Sequence, residues 1–338
     1  MGKYILQRLF AMVLTFVAVT VLTFVLMHSI PGGPFTREKK LPQSTIDALN
    51  KKYHLDHPLW QQYADYMMQI VEIRDVPVMK DGNPVMKDGV EVTVKSLVLD
   101  MGPSFKLVGR SVGDIVSGGF PITAKLGILA TILTLLIGIP MGIISALRQN
   151  KWQDYTSMFV TTLGVTIPNF VIAILLMYVF CIKLKWFPVR VANAKTLASM
   201  VLPVVALSAY SLSFISRLMR SSMLDVTRQD YIRTARAKGL SEFRVIAKHA
   251  VKNAIIPIVT YIGPMFSGLL TGSFVIEKLF AVSGIGRFFV ESIENRDYTM
   301  IMGVTILDAA LLIFINFLVD IAYGLIDPRI KLTGIKEE

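Results

Sequence analysis

Six long apolar runs punctuate the chain, separated by polar segments of very unequal length. The first, Leu9 to Ile30, follows Lys3 and Arg8 and ends at Pro31-Gly32-Gly33-Pro34. Its 22 residues span roughly 33 Å as a helix, enough to cross the hydrocarbon core of a bilayer. It is too long for the apolar region of a signal peptide and no small-residue cleavage site follows, so it reads as an uncleaved helix. Five more runs lie near Ile122–Leu147, Tyr155–Ile182, Ala198–Ser216, Ala254–Val282 and Met300–Leu325. The pattern predicts an all-α membrane protein of six transmembrane helices.

Between the first two runs lies a polar segment, residues 31–121, with eleven Lys/Arg and eleven Asp/Glu. Leu49 to Ile70 predicts two helices broken near Pro58, with Leu55, Leu59, Trp60, Tyr63 and Met67 on an apolar face. Val78-Met79-Lys80-Asp81-Gly82 recurs as Val85-Met86-Lys87-Asp88-Gly89. These Asp-Gly turns and the alternation through Val90-Glu91-Val92-Thr93-Val94 predict a small β-hairpin.

Composition agrees with a membrane protein. Hydrophobic residues make up 53% of the 338 and charged residues 17%, against about 25% charged in a soluble domain. The net charge of +11 does not indicate nucleic acid, because the positive residues sit in loops between apolar runs, where they set topology. With the N-terminus inside, the inner segments carry sixteen Lys/Arg and the two short outer loops seven, which predicts that both termini are cytoplasmic. The expected organisation is a first transmembrane helix (1–30), an extracytoplasmic segment (31–121), a five-helix core (122–325) containing a cytoplasmic loop (217–253), and a cytoplasmic tail (326–338). The one cysteine, Cys181, allows no internal disulfide and reads as a small buried hydrophobe. His28, His54, His57 and His249 form no metal-ligand pattern, so no metal and no catalytic group is expected.

Pro140, Pro168, Pro203, Pro257 and Pro264 fall inside spans, where neighbouring helices or water satisfy the carbonyls they free. Gly263, Gly268, Gly272 and Ser273 in the fifth span predict close helix approach. Asp308 and Asp320 lie in the sixth span with Asn316 between them, and Lys125 begins the second. An intramembrane carboxylate is a functional candidate, so Asp308 is a candidate pathway or subunit contact.

The segment from Arg217 to Asn253 is more than a connector. Tyr231 to Lys238 is a good helix former, Gly239 suits a left-handed stop, and Leu240 follows for the hydrophobic contact that accompanies it. Ser241 is placed to cap a second helix with Glu242 in its first turn. In that helix Phe243, Ile246, Ala247, Ala250 and Val251 predict one apolar face. Such a basic, amphipathic element either lies on anionic lipid or docks in a groove of a cytoplasmic partner.

Tyr231-Ile232-Arg233-Thr234-Ala235-Arg236-Ala237-Lys238-Gly239-Leu240-Ser241-Glu242, with His249-Ala250 and Asn253-Ala254 downstream, resembles the EAA loop of ABC importer permeases. The form matches the dipeptide, oligopeptide and nickel branch. That branch departs from the general Glu-Ala-Ala at the places held here by Arg233-Thr234-Ala235, and the downstream Leu-Pro of the general pattern is absent. Residues 1–35, the stretch Gly272 to Gly286, Asn295-Arg296-Asp297-Tyr298 and Asp327-Pro328-Arg329-Ile330 are similar to the B-type subunit of these systems. Residues 72–98 fall outside the resemblance.

The resemblance implies a type I importer fold. It also implies a heterodimer with a homologous second permease, two cytoplasmic ATPase subunits that use ATP and Mg, an extracytoplasmic substrate-binding protein, and a peptide substrate. Tyr231 to Glu242 would form the coupling interface with the ATPase, Arg233 and Arg236 pairing with its acidic groups. No P-loop is present, since Gly2-Lys3 is followed by Tyr4, so this chain binds no cofactor of its own and its energy comes from another chain or an ion gradient. The rival expectation is an ion-coupled secondary transporter using Asp308, and no inverted repeat supports it.

Overall fold

The computed structural model describes the chain except residues 1, 36–41, 78, 81–82, 85, 88–89, 92, 108, 190, 192–196, 272 and 327–338. The chain forms two compact units, one of residues 1–13, 119–290 and 308–338, the other of residues 14–118 and 291–307.

Among the described residues, five helices are long and apolar enough to cross a membrane, and a bent pair makes a sixth span if its two halves are counted as one. α1 (Gly2–Ser29) carries exposed apolar side chains on most of its circumference, among them Leu6, Phe10, Val13 and Leu22. A helix hydrophobic all round is stable in lipid, where it has no polar solvent to avoid. The second unit continues with α2 (Gln43–Lys52) and α3 (Leu59–Gln69). Pro58 is the N-cap of α3, the break expected from its position.

The expected hairpin is longer than the repeat suggested. Strands β1 (Val71–Pro77) and β6 (Thr93–Leu99) pair antiparallel from Val71↔Leu99 to Pro77↔Thr93. The pairs β2 (Met79–Lys80) with β3 (Asn83–Pro84) and β4 (Met86–Lys87) with β5 (Val90–Glu91) lie within its loop. Each copy of the repeat thus supplies one strand of a short pair, and the flanking segments supply the long ribbon. Beyond it, Asp297 accepts hydrogen bonds from the Phe105 N–H (3.1 Å), the Thr299 hydroxyl (3.0 Å) and Ser104. Burial and the nearby carboxylates of Asp297 and Asp100 raise the Tyr66 pKa, and its hydroxyl donates to the carbonyls of Met101 and Thr299.

The first unit is built around α7 (Leu197–Thr227). Its interior face is lined by small residues, Ala206, Ser208, Ser211, Ser213, Ser216 and Ser222, all buried. Small side chains let helices approach in lipid, where dispersion contacts replace a hydrophobic driving force. α4 (Val112–Leu147) approaches α7 closely: a Cβ on Gly142 would lie 2.5 Å from the Ser216 carbonyl oxygen, so only glycine fits there. In the fifth span Gly263 likewise faces Val319, whereas no side chain crowds Gly268. Cys181 is buried, as expected.

Two spans differ from expectation. The third is α5 (Trp152–Thr166) and α6 (Asn169–Leu176), the latter prolonged by a π-helix (Met177–Lys183), with a bend of 107°. The fourth runs to Thr227, so Arg217 and Arg220 ride on α7 rather than in a loop. The fifth comprises α11 (Ile256–Thr271) and α12 (Ser273–Leu279), and follows α8 (Asp230–Ala237), α9 (Glu242–Arg244), a second π-helix (Val245–Ala250) and α10 (Val251–Ala254). Finally α13 (Ile285–Asn295) precedes α14 (Tyr298–Ile326).

Candidate functional site: a braced helix–turn–helix

α8 ends in a Schellman motif. The Gly239 N–H donates to the Arg236 carbonyl (2.9 Å) and the Leu240 N–H to the Ala235 carbonyl (3.4 Å). Gly239 takes φ +75°, a conformation that costs an L-residue roughly 1–2 kcal/mol. Leu240 then packs, half-buried, against the hydrophobic core. The sequence predicted this stop residue by residue.

Ser241 has the extended backbone of an N-cap, but its side chain makes no capping bond. Glu242 is engaged elsewhere. The Arg236 guanidinium donates to both of its carboxylate oxygens, at 3.1 and 2.7 Å. This pair closes over Gly239 and ties the helix before the turn to the helix after it. Arg236 lowers the Glu242 pKa through the hydrogen bond, and Glu242 raises that of Arg236. In this chain the Arg236 fork is occupied by Glu242. Arg233 pairs weakly with Asp230 (3.5 Å) on an exposed face.

The second helix buries only part of the predicted face: Ala250 is buried and Ile246 and Val251 pack half-buried against the core. Phe243 is 83% exposed and Ala247 is also exposed, while Val245, Ala250 and Ala254 are buried. The cause is the π-helix from Val245 to Ala250, whose wider turn aligns residues five apart instead of three or four. Val245 and Ala250 stand five apart.

Of the twelve residues from Tyr231 to Glu242, Ile232 and Ala235 turn into the core. Tyr231, Arg233, Thr234, Arg236, Ala237, Lys238, Gly239, Ser241 and Glu242 are exposed. Tyr231 accepts a hydrogen bond from Asn253 (3.0 Å), a second tie between the two arms. The loop is thus a rigid, solvent-facing element seated on the bundle.

Two polar constellations escaped the sequence reading. Asp154, at the start of α5, receives both arms of Arg220 from α7 at 2.7 Å. It also accepts from the Asn150 N–H (3.0 Å) and from Ser145 of α4. This clamp joins three helices, and its one sequence signal was an arginine in the continuation of an apolar run. The second is Glu277, fully buried on α12, which accepts from the Ser273 hydroxyl (2.7 Å) and from the Arg287 N–H (3.2 Å). The Ile285 N–H donates to Thr123 (3.0 Å), so two side chains from other helices satisfy the orphan N–H groups that open α13. Asp308 is half-buried, within electrostatic reach of Glu277. The Asp320 side chain and the motif Asp327-Pro328-Arg329-Ile330 lie outside the described residues.

Residues 138–332 match the family described as binding-protein-dependent transport system inner membrane component, and residues 1–126 match its N-terminal component. The chain is 44% identical to the dipeptide transport system permease protein DppB of Bacillus subtilis over 98% of this chain and 99% of that one. It is 40% identical to the oligopeptide transport system permease protein OppB of Salmonella typhimurium over 98% of this chain and 100% of the other. Among solved structures it is similar to a chain of the inward-facing MetNI methionine ABC transporter, with a TM-score of 0.52 and 14% identity, over 64% of this chain and 97% of that one. The fold is the type I ABC importer permease fold, and the ion-coupled alternative is not favoured. The chain belongs to the family of inner-membrane components of binding-protein-dependent transport systems: it is a multi-pass permease subunit of an ABC transporter and is not itself the ATPase.

Proposed function

We propose that this chain lines the translocation pathway of an ATP-driven importer of dipeptides or oligopeptides and takes its power stroke through Tyr231 to Glu242. The observation that carries the reading is the braced helix–turn–helix, exposed on one side and rooted in the core by Ile232, Ala235 and Val245 on the other. A rigid element transmits a rigid-body displacement, whereas a loose loop absorbs it. The Arg236–Glu242 brace and the Schellman stop keep the angle at Gly239, and the Arg220–Asp154 clamp carries motion into three helices.

The remaining parts follow from the relatives' names and the charge pattern. A homologous second permease completes the pathway, two cytoplasmic ATPases bind ATP and Mg, and an extracytoplasmic binding protein delivers peptide. Both termini and the 217–253 segment face the cytoplasm, and residues 31–121 face outward. This chain holds no cofactor. Phe243 and Arg233, 83% and 74% exposed, are available to meet an ATPase groove.

The test is Gly239→Pro in the reconstituted complex. Proline cannot adopt φ +75° and removes the N–H that bonds to Arg236. The expected result is normal membrane insertion, loss of ATPase association and loss of peptide uptake. Wild-type uptake by this variant refutes the coupling role. Uptake by the unaltered complex that survives ATP depletion and collapses with an ionophore refutes the ATP-driven reading.

A further inference from the structure

α3 lies against α1 well inside the end of that span. The Tyr63 hydroxyl shares a hydrogen bond of 2.8 Å with Thr20, and the Tyr63 ring meets Phe24 edge-on at 5.5 Å. Thr20 and Phe24 stand nine and five residues before α1 ends at Ser29, about 14 and 8 Å along the helix axis. At the same level α1 exposes Val21, Leu22, Val25 and Leu26. Large aliphatic side chains turned outward on a span are its lipid-facing surface.

The side chains of α3 sort onto three faces. Tyr63, Tyr66 and Ile70, at i, i+3 and i+7, turn inward: Tyr63 to Thr20, Tyr66 to the carbonyls of Met101 and Thr299, and Ile70 into the interior. Trp60, Ala64, Met67 and Met68, at i, i+4, i+7 and i+8, make an apolar ridge. Trp60 is 74% and Met68 68% exposed, with exposed Leu59 beside them. Gln61, Asp65 and Gln69, each four residues from the next, make a polar ridge. Around the helix axis Tyr63 is followed by the apolar ridge, then the polar ridge, then Gln62 and Tyr66. Tyr63 is the residue that reaches deepest along α1. Gln62 and Tyr66 bond at the other side, to Leu55, His57 and the start of α14, where Tyr298 meets His28 in the last turn of α1 (4.9 Å). The exposed apolar ridge therefore points toward the membrane interior and the polar ridge toward its surface.

We propose that α3 is an in-plane membrane helix, with Leu59, Trp60 and Met68 among the acyl chains of the leaflet at which α1 ends and Asp65 and Gln69 in water. That leaflet is the outer one in the orientation given above. Lipid is the occupant because the ridge continues the exposed apolar surface of α1 at the same depth. Tryptophan suits this place, where its ring is apolar and its N–H can reach water. α3 holds no Lys or Arg, so its attachment draws on apolar burial and needs no anionic headgroup. β1 begins at Val71, directly after α3, and the Asp100 N–H bonds to the Ile70 carbonyl (3.1 Å). The β1–β6 ribbon thus stands on a base held in the bilayer.

The full complex is prepared with p-benzoylphenylalanine in place of Trp60, of Met68 or, for comparison, of Asp65. Intact complex is recovered through a tag on this chain, placed in vesicles of phosphatidylcholine alone and irradiated, and the mass of this chain is read. The expected result is a phospholipid adduct at 60 and at 68, at least about tenfold more abundant than at 65. A covalent bond to another subunit from either ridge position means that protein covers this face, and overturns the proposal. No lipid adduct above the level at 65 means that water covers it, and overturns the proposal equally. An adduct at one ridge position alone overturns it too, because both positions lie on one ridge. So does an adduct that forms only after phosphatidylglycerol is added, since charge would then draw the helix to the bilayer.

Discussion

Arg220–Asp154 and Arg236–Glu242 are the same contact chemically, a guanidinium fork on a carboxylate with a closest N–O distance of 2.7 Å in each. Their surroundings differ. The first pair is 22% and 4% exposed, wedged among α4, α5 and α7, and Asp154 has further donors from Asn150 and Ser145. The second is 43% and 57% exposed and spans one turn. A buried pair is held because removing either partner strands the other charge in a medium that cannot solvate it. An exposed pair contributes little free energy, since water competes for both ions. The comparison separates two tasks in one machine: the buried clamp keeps helices together, and the exposed brace sets the shape of a surface that another protein would read.

Arg220→Met should have the largest effect, a loss of about 3–5 kcal/mol, seen as a large drop in the detergent melting temperature. The double variant Asp154→Leu with Arg220→Met should recover most of that loss, because no charge is left stranded. If the double variant melts as low as the single, the clamp is more than a compensated charge. Gly239→Ala should cost about 1 kcal/mol and lower the coupling of ATP hydrolysis to uptake well before it lowers the melting temperature. Arg236→Gln or Glu242→Gln should change stability by no more than about 0.5 kcal/mol, yet broaden the distance distribution between spin labels placed on either side of Gly239. Sharp distributions in both variants would show that the Schellman turn holds the angle unaided.

The smallest effect is pH dependence. Arg236 holds the Glu242 carboxylate below its ordinary value of 4.5. A depressed carboxylate stabilises fully above the ordinary value and loses its contribution as pH falls through the lower, folded-state value. The same spin-label distances should therefore stay constant from neutral pH down to the ordinary carboxylate range and widen only in acid below it. Widening near neutrality would point to another group.

Much of the braced helix–turn–helix was legible because it depends on near neighbours. Gly239 stops α8 through φ and two short-range hydrogen bonds, and every residue concerned lies within a few positions of it. Pro58 could be placed at a helix break for the same reason. The face of the following helix was read only in part, right at Ile246, Ala250 and Val251 and wrong at Phe243 and Ala247, because hydrophobic spacing was tested against an α-helical period. Only packing against α7 and its neighbours makes the wider π turn at Val245–Ala250 worthwhile, so Phe243 emerges outward. Arg217 and Arg220 were read as loop charges because a polar side chain ends an apolar run by composition. The carboxylate that lets Arg220 stay in the helix is 66 residues away.

What the sequence determined alone was the solvent of each segment and the local punctuation: which runs belong in lipid, which positions demand glycine or proline, and which family's loop Tyr231 to Glu242 resembles. Those properties rest on transfer free energies and dihedral limits that each residue carries with it. The tertiary structure decided which charges are paired, how the third span bends at Pro168, and which end of α13 Glu277 and Thr123 complete. Each of these needs groups far apart in the chain to meet, and pairwise electrostatics and packing act over a few ångströms of space, whatever the distance in sequence.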